Sequence, residues 1–382
     1  MQPRILWISG REATQPWAAQ WNALAAKTPQ PQPMMSHAWV DAFAYALLPA
    51  DGDLRCVLAL YGDILAGVLP LVVRESRLWP ITMQSLSTPY HEHSAFGDLL
   101  VDARWASDVV PALLAGACSF TGMRLREMAL RGVARGSPTT TIATTRPTRF
   151  ALISSHRNWG SYLPVKGAWR DHHGALSGNF RANLRKAHNR LREPGMARFR
   201  FDWLTAERAT AKHLDSFLQL EASGWKGRAG SAIGQDARLR SFYDRLAENT
   251  SRLGWLEWHF MSLDEKPIAA HLAIRLGRSL CLIKIAYDEN HARLSPGNLL
   301  FEATADRAFE RGDLDEINCL TDMAWHRGWN MARREYIDVR LFPHTVFGLG
   351  FGLLPRLLIR TAKEAAATFP IFGRIRARLK RD

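Results

Sequence analysis

Residues Ser279–Gly312, SLCLIKIAYDENHARLSPGNLLFEATADRAFERG, decide how this chain folds. The apolar run Leu280–Tyr287 reads as a buried strand, followed by a polar loop, a Ser295-Pro296-Gly297 turn and an amphipathic helix over Asn298–Arg311. That order sets the unpaired N–H groups and positive dipole end of a helix start beside the end of a strand. Anions collect at such a place, so the segment predicts a phosphate-bearing cofactor rather than a metal.

Strands and helices alternate on both sides of this segment, which predicts an α/β (α+β) fold. In the first half Leu54–Tyr61 and Ile64–Val73 form a hairpin about Gly62-Asp63, Ala106–Cys118 is helical and Met123–Leu130 is a strand. The Ser/Thr/Gly/Pro-rich stretch from Gly132 to Arg149 suits a connector with one exposed strand, and hence a boundary near residue 150; two edge strands within one domain fit it equally. In the second half Asn179–Arg192 is a basic helix, Arg198–Leu204 a strand, and Glu207–Gly224 and Asp236–Asn249 are helices. Strands Trp255–Leu263 and Pro267–Leu276 flank the turn Asp264-Glu265-Lys266. A hairpin of the same kind in each half points to duplication; chance recurrence of a turn gives the same picture.

At 382 residues the chain is too long for one ordinary core. Its formal net charge of +14 favours anionic partners, and the charge is concentrated. Seven basic residues face the single acid Glu193 between Phe180 and Arg200, and the stretch after Phe351 is strongly basic. The four cysteines are dispersed with no CxxC pair, which fits a reducing cytoplasm. The start MQPRILWISG lacks the apolar core of a signal peptide, and no apolar run is long enough to span a bilayer. His91-Glu92-His93 has no third ligand at suitable spacing, so a metal is not expected.

An ordered set of short segments resembles the GNAT acyltransferase superfamily, and more narrowly the BioF2-like, CelD/BcsL-type acetyltransferases related to Fem-type aminoacyl transferases. The segments are Asn179–Lys186, Leu220–Gly227, Pro267–His271, Lys284–Asp288, Ser295–Gly297 and Thr321-Asp322, with Ser36–Trp39 and Gly67–Leu71 in the first half. The resemblance implies two GNAT-like domains (1–150 and 151–345), each a mixed, mostly antiparallel sheet flanked by helices, and leaves 346–382 as a basic amphipathic helical tail. It also implies acetyl-CoA or another acyl-CoA as co-substrate and an amine acceptor on a sugar, lipid or polysaccharide precursor. The transferred group is then expected to be other than aminoacyl. Where the family carries a Lys–Trp pair after its aspartate, this chain reads Asp322-Met323-Ala324-Trp325-His326-Arg327.

Candidate site residues follow. Ser295, Gly297 and Asn298 are expected at the cofactor pyrophosphate; the same residues also suit a plain capped helix start. Asp322, at the end of strand Glu316–Leu320, is the candidate general base or ammonium contact, a capping or salt-bridging role fitting equally; His271, which also reads as a core histidine, and Tyr287 are further catalytic candidates. Trp225, Lys226, Lys284, Arg181 and Arg185 are expected to contact substrate, though solvated charge and a helix C-terminus explain several of them equally. Ile371, Ile375 and Leu379, spaced by four among basic residues, predict a tail helix that lies on an anionic membrane or packs on the protein itself. The location expected is cytoplasmic with peripheral contact to the inner membrane face, and nucleic acid is not an expected partner. The alternatives are a Fem-type transferase using charged tRNA, or a non-catalytic anion- or membrane-binding module on a decayed fold.

Overall fold

The computed structural model describes residues 2–78, 81–94, 96–121, 124–145, 149–193 and 198–368. Among these, thirteen strands form one continuous sheet. The first half contributes β1 (Arg4–Ser9), β2 (Gly52–Tyr61), β3 (Ile64–Leu78), β4 (Ile81–Ser87), the short β5 (Leu100–Val101), β6 (Leu125–Ala134) and β7 (Phe150–Pro164). The second contributes β8 (Phe199–Leu204), β9 (Leu256–Leu263), β10 (Lys266–Leu276), β11 (Ser279–Tyr287), β12 (Glu316–Asn318) and β13 (Ala332–Pro343). The order across the sheet is β1-β2-β3-β4-β6-β13-β7-β12-β11-β10-β9-β8, with β5 on the edge of β3.

The two halves repeat one plan. Strands β1 to β4 are antiparallel and β4 then runs parallel to β6. Strands β8 to β11 are antiparallel and β11 then runs parallel to β12. The next strand of each half crosses to the other: β7 pairs with β12, and β13 pairs with β6. Strands β7 and β13 also pair with each other, antiparallel, from Ala332↔Tyr162 to Pro343↔Phe150.

Helices cover the sheet: α1 (Ala18–Ala26), α2 (His37–Ala46), α3 (Ala106–Thr121), α4 (Pro138–Thr145), α5 (Trp169–Ala175) and α6 (Gly178–Arg190). The rest are α7 (Leu214–Ser223), α8 (Trp225–Arg228), α9 (Ala237–Arg252), α10 (Pro296–Arg311) and α11 (Leu354–Thr368). Helices α2 and α9 join the halves through Trp39, Phe43, Phe242 and Leu246, all buried in one cluster. Beside that cluster the buried Asp41 accepts hydrogen bonds from Gln15, Arg11, Arg245 and Asn249 at 2.8–3.1 Å. Burial acts to raise its proton affinity, but the Asn249 bond and the two arginines outweigh this and hold the carboxyl below its usual range.

Two stretches differ from the sequence expectation. Only Leu214–Ser223 of Glu207–Gly224 is α-helical; short 3₁₀ turns precede it. Ala206 has φ +51, and the Ala209 and Thr210 carbonyls accept from Ser251 and the Trp258 indole, so tertiary partners replace helical ones. The supposed connector 132–149 holds the end of β6 and helix α4, started by Ser137 and Pro138. Residues Ile371, Ile375 and Leu379 of the tail stripe lie outside the described residues.

Gly160 sits where β7 is gripped on both sides. A Cβ built there would fall 2.6 Å from the Tyr336 ring and 2.8 Å from the Leu320 carbonyl oxygen. Gly160→Ala is therefore expected to destabilise the protein by about 1–3 kcal/mol, read as a lower denaturant midpoint at unchanged slope.

Candidate active-site cleft

The cleft arises because two parallel neighbours part company. Strand β11 pairs with β12 only over Ser279–Cys281, against Glu316–Asn318, and then runs on to Tyr287. Strand β12 stops because its chain turns toward β7. The buried Asn318 side chain accepts from the Leu320 N–H (2.9 Å), Leu320 adopts φ +61, and Ser161 exchanges backbone bonds with Cys319 and Thr321. A non-glycine residue at positive φ is strained, and such strain gathers at functional sites. Along the other edge β11 stays paired with β10, with the register slipping so that Ile283 bulges between Leu282↔Ala273 and Lys284↔Leu272.

Two connected cavities occupy the gap. The larger, about 450 Å³, is walled by the 282–287 backbone of β11, by Thr321, Met323 and Trp325, and by the acids Glu92, Glu221 and Glu289. The smaller, about 300 Å³, lies between His271, Tyr287 and the Ser295–Asn298 turn. Ile285, Ala286, Tyr287 and Trp325 border both, so the cavities are two lobes of one cleft.

In the smaller lobe Ser295 is left-handed (φ +54) and its carbonyl accepts from the N–H groups of Asn298 and Leu299, both at 3.1 Å. Pro296 has no N–H, which leaves the Gly297 N–H as the one donor at this helix start without a partner among the described residues. The helix start is thus a narrower anion seat than the sequence implied. His271, on β10, is 2 % exposed, and its Nδ1 has no partner among the described residues. Burial, with His259 nearby, holds its proton affinity well below the ordinary imidazole value, so the ring is neutral. His259 lies 5.7 Å away, bonded to Glu257 (3.2 Å), which in turn pairs with Arg311 (2.9 Å) at the far end of α10.

The larger lobe is built from both halves. Glu92 and His93 enter from the loop before β5, and His93 Nδ1 lies 3.0 Å from the Tyr243 hydroxyl. Glu221, on α7, is 4 % exposed and accepts from the Ile233 N–H at 3.0 Å. The Lys284 ammonium lies 6.0 Å from the Tyr243 ring centre, and Glu289 pairs with Arg228. His326 is buried, with burial pushing its pKa down to about 4, and its Nδ1 accepts from the Met323 N–H at 3.0 Å.

The structure gathers Ser295, Gly297, Asn298, His271, Tyr287 and Lys284 around the cleft. It separates others. Asp322 lines neither lobe: its carboxylate accepts from Ser161 Oγ (2.7 Å) and pairs with Arg333, bracing the β12 turn against β7 and β13. Its neighbours Thr321 and Met323 do line the larger lobe. Arg181 and Arg185 are exposed on α6 and line neither lobe. The backbone of Trp225 and Lys226 forms α8 beside the cleft residue Gly224, while their side chains lie outside the described part. Sequence reasoning gave no site role to Glu221, Glu289 or Trp325, weighed Glu92 only within a rejected metal motif, and named His326 only as a stand-in for the family's lysine. Glu221 was within reach, since it follows Phe217 by four residues on the buried face of an amphipathic helix.

Comparison with known proteins agrees with this geometry. Residues 178–327 match the model of the acetyltransferase (GNAT) domain, which includes the strands that splay and the helix start beside them. No curated protein sequence matches the chain. The solved structure of FemX superposes with a TM-score of 0.58 at 10% identity, covering 84% of this chain and 95% of its own. A conserved protein of unknown function from Bacteroides thetaiotaomicron gives 0.54 at 13% identity (85% and 96% covered). The C-terminal domain of a protein assigned as lysylphosphatidylglycerol synthetase from Agrobacterium fabrum gives 0.51 at 11% identity (85% and 92% covered). These superpositions establish a shared fold: a GNAT-type acyltransferase fold in two GNAT-like units. They correct one expectation. A transferred group restricted to non-aminoacyl classes does not stand beside neighbours named FemX and lysylphosphatidylglycerol synthetase.

The buried neutral histidines set an acid sensitivity. Their folded-state pKa values are depressed, so the unfolded chain binds protons first and stability is lost as pH falls below about 6.5. For His326 the loss levels off near pH 4. His271→Leu should reduce the slope of unfolding free energy against pH by about 1.4 kcal/mol per unit below that pH. Denaturant titrations across the range measure it.

Proposed function

We propose that this protein transfers an acyl group, aminoacyl groups included, from an acyl-CoA donor to an amine by direct attack in a ternary complex. The observation that carries the reading is the early end of β12, which bares one edge of β11 from Leu282 to Tyr287 within the region matching a GNAT domain. An extended amide-bearing arm can add to such an edge as a strand would. The donor's pyrophosphate then meets the Gly297 N–H and the positive end of α10. The bulge at Ile283 frees backbone N–H groups near the reacting carbonyl, where they would hold the developing oxyanion.

The acceptor belongs in the larger lobe. Three carboxylates in the cleft of a chain with net charge +14 favour a cationic amine there, on a sugar, lipid or polysaccharide precursor. Glu221 takes the ammonium proton, the amine nitrogen bonds to the acyl carbon, and the C–S bond breaks. Tyr287, which borders both lobes, supplies a proton to the departing thiolate and is restored by the second proton, which the nitrogen releases as it becomes an amide. His271 forms the floor of the donor lobe, where its buried ring nitrogen can hydrogen-bond to the donor.

A second reading keeps the chemistry and changes the carrier to aminoacyl-tRNA. The excess of basic charge and the fold shared with FemX favour it.

Calorimetric titration with CoA, acetyl-CoA and charged tRNA separates the two. Binding of acyl-CoA alone is expected; binding of charged tRNA alone transfers the assignment to the second reading, and binding of none removes both. With a donor in hand, Glu221→Gln should lower kcat by about 10²–10⁴-fold and leave donor affinity unchanged. Gly297→Pro, which deletes the free N–H, should instead weaken donor binding about tenfold.

A further inference from the structure

Helix α11 projects from the body of the protein with its apolar side chains uncovered. A surface helix ordinarily turns its apolar stripe inward. In α11 the inward residue is Arg356, whose guanidinium bonds both oxygens of the buried Glu127 at 2.7 and 2.9 Å. At ~100° per residue, Leu354, Leu357 and Leu358 share the opposite face. They are 53, 40 and 60 % exposed; Ile359 is exposed on the flank nearer Arg356, and Val346 and Leu349 are exposed just before the helix. Six large apolar side chains on one projecting segment amount to more than the scattered exposure normal at a surface.

The root of the segment is held firmly. A Cβ at Gly348 or Gly352 would collide with the carbonyl oxygens of Pro343 and Arg126, so the backbone presses directly on β13 and β6. The Glu127 carboxylate, also bonded by Arg340 at 3.2 Å, then fixes the rotation of α11 about its own axis. The outward leucines are therefore a consequence of two specific contacts and not of a loosely placed helix.

Charge identifies what would cover them. Residues 346–382 carry eight Lys and Arg against Glu364 and Asp382, a net of +6. Two such segments brought face to face in a symmetric dimer would repel each other. An anionic lipid surface satisfies both features: leucines enter the headgroup–acyl boundary while the flanking cations meet lipid phosphate. We infer that α11, with the basic sequence after it, seats the protein peripherally on an anionic membrane. No helix among the described residues is long and apolar enough to cross one.

The test is flotation of the full chain with vesicles of phosphatidylcholine, alone or mixed with phosphatidylglycerol, at low and high salt. Binding to the mixed vesicles that weakens with salt, and little binding to phosphatidylcholine alone, is expected. The double substitution Leu357→Glu and Leu358→Glu should lower the partition coefficient at least about tenfold with an unchanged unfolding midpoint. Equal binding by variant and parent overturns the proposal, as does absence of binding to either vesicle. A concentration-dependent dimer that the double substitution dissolves, without vesicle binding, overturns it in favour of a second copy.

Discussion

The antiparallel pair β7–β13 is the contact on which the rest depends. Its register runs the length of β13, and each partner also pairs with the opposite half of the sheet. Two sheets that could otherwise slide or separate are thereby one hydrogen-bonded surface. The α2–α9 cluster and the Asp41 clamp reinforce the union on a helical face. The cleft is a product of the same contact: Ser161 of β7 draws Cys319 and Thr321 away from β11, and Asp322 is braced by Ser161 and Arg333.

Electrostatics divides the molecule in the opposite sense to its total charge. The surplus of Arg and Lys lies on outer helices and the C-terminal segment, whereas three acids converge on the larger lobe beside the neutral His326, and the neutral His271 lines the smaller one. Burial keeps His271 and His326 uncharged, so their rings offer hydrogen bonds rather than charge at neutral pH. Within so basic a chain, an acidic pocket acts as a local filter for cationic ligands.

Much of the fold was legible because it rests on local patterns. The hairpins around Gly62 and Asp264–Glu265, the strand–turn–helix of 279–312 and the alternation of elements all follow from short-range periodicity and turn chemistry. The strand exchange was not legible, because nothing local distinguishes a strand that pairs within its own half from one that crosses. The smaller lobe of the cleft was legible, because one continuous segment supplies most of its lining. The larger lobe was not, since Glu92, Glu221 and Glu289 come from three distant stretches that only the tertiary fold assembles. The β11 bulge at Ile283 likewise has no sequence signature; no glycine marks it, and the register alone reveals it.

The repeat explains why the cleft appears in the second half. Both halves contain a parallel pair after three antiparallel turns of the chain, so both have the raw material for a splay. In the first half the pairing closes the C-terminal end of β4, from Gln84 to Ser87, and the Thr88 N–H continues it to the Ala129 carbonyl. Gly97 packs against Thr88 at a separation that excludes even a Cβ, filling the space beyond. In the second half the pairing closes the N-terminal end of β11 and leaves six residues with a bare edge. A shift of the paired rungs from one end of the strand to the other thus separates a sealed scaffold from a binding cleft. The helix after each strand follows suit: α10 begins at the open edge with Ser295 in a left-handed turn, whereas β5 and its loop intervene before α3.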